Sequence, residues 1–233
     1  MTKSILTVAL IATCIISSLT PARGQKGFQI GIEGTPQLSW LQNTTDYNSS
    51  SFQYLNTFNC SFGISGQYGF TPIVGLGLNA LYSFQGQRFK LDGIERFKSV
   101  EYVKVPLMLT LNFKITDYVS FIGKIGPQLG LLTNASFRDA NGNNIVSNQK
   151  SAYADYELSS VAHAGFGFRV YENLILDATL RFDYGLTNAE NKNYTLNINK
   201  PTDENGNSSA NPNSAITSNM TAGLTIGLRY LLK

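Results

Sequence analysis

The chain has 233 residues, of which 42% are hydrophobic, 12% aromatic and only 14% charged, against about 25% charged in an ordinary soluble domain. With 21 glycines and this aromatic content it is neither disordered nor collagen-like. A formal charge of +3 is too weak for a nucleic-acid footprint.

Residues 1–24 have the parts of a secretory leader: Lys3, an apolar run over 5–16, and Ala22-Arg23-Gly24 as a small-x-small cleavage site. Roughly 12 apolar residues fall short of the about 20 that span a bilayer, so removal is expected. The remaining chain, 25–233, then forms one domain with 16 basic and 15 acidic groups, a net charge of +1. Cys14 leaves with the leader, and Cys60 is the one thiol left, so no internal disulfide is available.

Strict period-two alternation follows. It predicts strands over 28–40, 58–68, 73–86, 99–113, 118–132, 156–170, 174–186 and 217–231. In the fourth, Val103, Val105, Leu107, Leu109, Leu111 and Phe113 alternate with Lys104, Pro106, Met108, Thr110 and Asn112. A helix would scatter these residues around its circumference, whereas a strand puts them on two faces. The apolar faces are expected to carry no charge. The opposite faces are small and polar and hold Glu33, Lys104, Lys124, Glu157, His163, Arg169, Asp177, Arg181, Asp183 and Arg229. Such a face suits a cramped interior better than a solubilising exterior.

Connection lengths sharpen this reading. The gaps 69–72, 114–117 and 171–173 are short, while 41–57, 87–98, 133–155 and 187–216 are long, in alternation. Outer-membrane barrels have short periplasmic turns and long outer loops. The pattern therefore predicts an all-β, eight-stranded antiparallel up-and-down transmembrane β-barrel in a bacterial outer membrane, with both chain ends periplasmic. Phe28, Tyr68, Phe113, Tyr118, Tyr171 and Tyr230 fall at the periplasmic ends of the strands. Trp40, Phe58, Tyr82, Phe84, Tyr156 and Tyr184 fall at the outer ends, as two interfacial girdles would.

Several motifs in this order carry a family resemblance: Leu81-Tyr82-Ser83-Phe84-Gln85-Gly86, Tyr102-Val103-Lys104-Val105-Pro106-Leu107, Gly123-Lys124-Ile125-Gly126-Pro127, the run from Asp177 to Asn188, and Gly227-Leu228-Arg229-Tyr230. From about Phe28 onward the chain resembles the Bacteroidetes-type outer-membrane β-barrel family, which includes PorT-like and porin-like proteins. The resemblance implies an outer-membrane location but no single activity, with protein secretion among the family's roles. Two departures stand out. The family more often has Glu where Lys104 stands, and its chains usually end on an aromatic, whereas this one runs past Tyr230 into Leu231-Leu232-Lys233. The lumen charges are then rearranged, and Tyr230 becomes the candidate assembly signal.

Eight strands enclose an interior only wide enough for side chains to fill. Five cations (Lys104, Lys124, Arg169, Arg181, Arg229) then face four anions (Glu33, Glu157, Asp177, Asp183), with Asp177 and Arg169 as the expected cross-strand pair. His163 is expected beside Asp183 and Arg181 as packing rather than catalysis, because no nucleophile converges on it at an open rim. Asp139-Ala140-Asn141-Gly142-Asn143 resembles the start of a calcium loop but lacks the sharp-turn glycine and the closing Glu, so it reads as a turn. The glycines of Gly75-Leu76-Gly77 read as lumen spacers. Pro106 and Pro127 should disturb the ladder between the fourth and fifth strands, with a bulge or a lumen water compensating. No catalytic residue, cofactor or metal is expected. The expected surroundings are outer-membrane lipid and other envelope or secretion proteins, with the barrel a monomer. Function is assigned to the outer loops or envelope contacts, against the alternatives of a small-solute channel or a part in a secretion assembly.

Overall fold

The computed structural model describes residues 26–43, 52–91, 93–139, 143–146, 150–189 and 217–232. The expected leader, most of loop 187–216 and parts of loops 41–57 and 133–155 lie outside them. Strands β1 (Gly27–Asn43), β3 (Thr57–Gly69), β4 (Val74–Leu91), β5 (Ile94–Lys114), β6 (Val119–Asp139), β8 (Tyr156–Tyr171), β9 (Leu174–Gly185) and β10 (Thr217–Leu231) pair antiparallel, each with its neighbours in that order. β10 returns to pair with β1, so the sheet closes. Two short strands, β2 (Phe52–Leu55) and β7 (Asn144–Val146), attach outside this ring, to β4 and β6. Closure leaves no open edge in the lipid, where water cannot satisfy backbone groups.

Alternation sets the two faces. Ile32, Ile64, Leu78, Leu107, Ile125, Leu180 and Ile226 all point outward and are exposed, 44–69% of each residue's surface being free. The intervening Glu33, Asn79, Lys104, Lys124, Arg181 and Thr225 are at most 7% exposed. The barrel is thus inverted relative to a soluble protein, apolar outside and polar within, as lipid requires. One charge escapes the expectation: Glu101 lies on the outward parity of β5, where Tyr82 Oη donates to it at 2.6 Å and Asn134 Nδ2 at 3.1 Å.

Turns and outer connections differ in one respect from the expected map. The periplasmic turns are short, and the first two are each pinned by a threonine, Thr71 Oγ1 accepting from Val74 N (2.8 Å) and Thr116 Oγ1 from Val119 N (3.0 Å). The expected outer loop 87–98, however, is not a loop. β4 and β5 stay paired up to Leu91 and Ile94, with Gly93 at φ +80° in the connection. β6 follows them to Asp139, opposite Arg96. With β2 and β7 on its flanks, this sheet rises above the barrel as a projection. The alternation fades here because polar residues occupy both faces, and this hid the strands in the sequence. Beyond β6, Asn143 N donates to Asp139 Oδ1 at 2.8 Å, and residues 140–142 of the expected turn lie outside the described residues.

The prolines interrupt the ladder without shifting it. The β5–β6 pairing omits Leu107 and Met108 opposite Pro127 and Gly126, then resumes in the same register at Leu109 and Ile125. Pro106 leaves a similar gap toward β4, and Pro36 leaves one between β1 and β10. The expected compensating bulge is not there. It lies at Glu101/Tyr102, where Thr133 is the extra residue of β6. This bulge reverses the parity of β6, so that Ala135 and Phe137, at 1% and 2% exposure, turn inward above it.

Candidate functional site: the filled lumen and its outer closure

The inward faces build a column of polar side chains in three tiers. At the periplasmic end Arg229 grips Asp177, with Nε to Oδ2 at 2.5 Å and Nη2 to Oδ1 at 2.8 Å, a bidentate pair. Lys124 Nζ adds a contact to Asp177 at 3.6 Å, and Gln29 Oε1 accepts from Arg229 Nη1. Two glycines make the room. A Cβ on Gly31 would lie 3.0 Å from Arg229 Cγ and 2.5 Å from the Leu228 carbonyl, and one on Gly167 would lie 3.2 Å from Asp177 Oδ1.

The middle tier centres on Asp183. Arg181 reaches it with Nε (2.8 Å) and Nη2 (3.0 Å), Lys104 Nζ stands at 3.3 Å, and Gln128 Nε2 donates at 3.1 Å. Arg181 Nη1 extends toward Glu33 Oε1 at 3.7 Å, which also accepts from Asn79 Nδ2 at 2.9 Å. In the upper tier Glu157 has no cation within ion-pair distance among the described residues. Asn219 Nδ2 donates to its Oε2 at 2.9 Å and also reaches Gln85 Oε1. Desolvating these charges is expensive, and pairing with hydrogen bonding is what offsets the cost.

Arg169 does not join this network. It is half-buried near the periplasmic mouth, beside the register shift at the end of β8, and its backbone N–H donates to the Tyr118 carbonyl at 2.7 Å. Asp177 stands opposite Gly167, and its oxygens are held by Arg229 and Lys124, so the expected Arg169–Asp177 pair is replaced. The buried charges are therefore four cations and four anions among the described residues. His163 meets Arg181 as expected but not Asp183. The register sets it opposite Lys124 and Arg181, while Asp183 stands opposite Val161. Nδ1 shares a hydrogen bond with Thr179 Oγ1 at 3.2 Å and Nε2 has no partner. The ring packs between the lower and middle tiers, and among the described residues no acid shares a hydrogen bond with it.

Above the charges the inward face turns apolar. Leu41, Val100, Tyr102, Leu132, Ala135, Ala152, Tyr153 and Ala189, each at most 6% exposed, form one cluster across the outer mouth. Its members come from β1, β5, β6, the 3-10 turn Lys150–Ala152 with Tyr153 just after it, and the chain after β9, so several elements converge to close the column. Sequence reasoning missed this lid and the neutral amides Asn79, Gln85, Gln128 and Asn219. The amides gave no charge to notice, and the lid gathers residues from strand ends and connections that no single segment brings together, with Ala135 turned inward by the Thr133 bulge.

Comparison with known proteins agrees with the inverted barrel. Residues 18–191 match the family model described as outer membrane protein beta-barrel domain. Among solved structures, Neisserial surface protein A is similar at a TM-score of 0.51 and 13% identity, with 89% of this chain and 98% of that one covered. OprG from Pseudomonas aeruginosa scores 0.44 at 12% identity, with 89% and 97% covered. Ail from Yersinia pestis, in complex with a heparin analogue, scores 0.42 at 16% identity, with 88% and 99% covered. A search of curated proteins finds no match. With its family model spanning most of the sequence and a closed eight-stranded barrel that is apolar outside, the chain belongs to the outer membrane β-barrel domain family and resides in the bacterial outer membrane.

Proposed function

We propose that this protein is a closed barrel whose task is recognition at its outer projection, rather than solute passage or chemistry. The observation that carries the reading is the filled lumen: four buried cations and four buried anions are linked by amides, beneath an apolar closure of the outer mouth. A path for solute would need these pairs to part in a low-dielectric interior, which leaves charges uncompensated. A rigid wall carrying a raised sheet and long outer connections is instead a scaffold for binding. The secretion-assembly role implied by the resemblance to PorT-like proteins is a special case, in which the partner is another envelope protein.

Planar-bilayer recording and crosslinking in intact envelopes test this together. The reading expects no large steady conductance, and crosslinks that depend on the outer segments 133–155 and 187–216. A steady large conductance would favour the porin-like alternative. Crosslinks unchanged after deletion of both segments would move recognition to the periplasmic turns or the wall.

A further inference from the structure

The outward face of the projection continues the lipid-facing wall of β4, β5 and β6, and its composition changes in steps with height. Tyr82, Val103 and Leu131 form the last apolar row of the wall. The next row, Phe84 with Glu101 and Asn134, is where polar groups first appear on this side. Above it comes a row of small residues, Gly86, Ser99 and Ser136, and the Phe97 ring leans over it, 3.1 Å from where a Cβ on Gly86 would stand. Then Arg88 and Arg138 flank Phe97, with Lys90 one step higher. At about 3.4 Å per residue the arginine row stands roughly 20 Å along the strand from Tyr82. With the strands tilted by about 35–45° this is roughly 15 Å of height, which places the row outside the hydrocarbon, on the polar side of the outer leaflet.

These cations are under-partnered. Arg88 is paired with Glu95 at 3.3 Å. Lys90 stands opposite that same Glu95 in the strand register, and neither it nor Arg138 is within ion-pair distance of a carboxylate among the described residues, while Arg138 Nε and Ser136 Oγ are buried without any hydrogen-bond partner. The periplasmic turns show no such arrangement: Lys114 there is paired with Asp117.

We infer that this face binds a phosphate-bearing glycolipid headgroup of the outer leaflet, with Arg138 and Lys90 as its principal donors and Phe97 packing on the sugar or proximal chain. The guanidinium fork matches phosphate geometry, and the row lies in the plane of the wall, where the abutting molecule is lipid. The inference needs only a barrel seated in the outer membrane, so it stands apart from any protein partner.

The test uses the full refolded chain in phosphate-free zwitterionic detergent, with native mass spectrometry as readout. The probes are lipid A carrying its phosphates, phosphatase-treated lipid A and inorganic phosphate. The expected result is at least tenfold tighter retention of phosphorylated over treated lipid A. The Arg138→Gln/Lys90→Gln double variant should lose about that factor, and Arg138→Lys an intermediate part of it, while Lys114→Gln binds like the parent. Equal binding of treated lipid A, an unchanged double variant, or an equal loss in Lys114→Gln would overturn the inference. Inorganic phosphate binding as tightly as lipid A would overturn the headgroup assignment. Should the double variant not fold, the two lipid A probes on the parent and on Arg138→Lys decide the matter.

Discussion

Arg229 on β10 meets Asp177 on β9 diagonally, two residues beyond Asp177's direct register partner Gly227, and offers it two parallel hydrogen bonds. The carboxylate thereby serves two cations, since Lys124 approaches from β6. Replacing Asp177 by Ala leaves both cations buried and unpaired, and the expected cost is about 3–5 kcal/mol. Urea unfolding followed by the mobility shift between folded and unfolded barrel would read it. A loss below 1 kcal/mol would mean that the lower tier is hydrated.

The lipid-facing wall should respond in the opposite way to charge. Leu107 is 45% exposed on β5, in the middle of the apolar face. Leu107→Arg is expected to destabilise the inserted barrel by about 2–4 kcal/mol, with a smaller penalty for residues nearer either boundary. Vesicle-insertion yields and unfolding midpoints across such a series would trace the depth of the hydrocarbon. A variant that inserts as well as the parent would contradict the outward assignment.

Deleting Thr133 removes the extra residue of the bulge, so that Asn134 follows Leu132 directly and the facing of everything beyond it on β6 is kept. Ala135, 1% exposed in the parent, should stay turned inward while the ladder to β5 becomes continuous. Maleimide labelling of Ala135→Cys in a Cys60→Ser background reads the outcome. Protection is expected with and without Thr133, and rapid modification of the deletion variant would show that the strand beyond the bulge had slipped in register.

The periplasmic turn supplies a pH-dependent contribution. A hydrogen bond from Lys114, and then its charge, hold the Asp117 carboxyl below its ordinary value of 3.8. A depressed folded-state value means that the contribution is complete above that ordinary value and is lost as the pH falls through the lowered one. Because Asp117 is fully exposed, the effect should be small and sensitive to salt. The stability difference between the parent and Asp117→Asn is expected at pH 7 and should vanish in strong acid. A difference independent of pH would rule out the ion pair as its source.

The barrel was legible in the sequence because a membrane wall obeys one rule on each face. Leu107 beside Lys104 and Ile125 beside Lys124 can alternate only if one side meets lipid and the other a filled interior. Legibility ended where that rule stops. Above the membrane each face of 87–98 and 133–139 mixes polar and apolar residues, Arg88 with Phe97 outward and Gln87 with Phe89 inward, so the strands lost their signature and the arginine row its context. Within the lumen the sequence identified the charges but not their partners. Pairing depends on stagger between strands, and the shift near Arg169 and the Gly227–Asp177 register are tertiary facts that no single segment encodes.

Pro36 lies on β1 at the one junction where the first and last strands of the wall meet. That junction joins the segments farthest apart in the chain, so closing it carries the largest loop-entropy cost of any strand pairing. The ladder is also incomplete there: Thr35 and Pro36 are skipped opposite Thr225 and Leu224, and the Pro36 carbonyl points at Gly223, 2.4 Å from where a Cβ would sit. A side chain at Gly223 would press directly on this closure, while Thr35 and Thr225 still tie it from the inside with a 2.8 Å hydroxyl contact. The ring is therefore fastened by a zipper with a missing tooth, and its joint is the natural place for the wall to part.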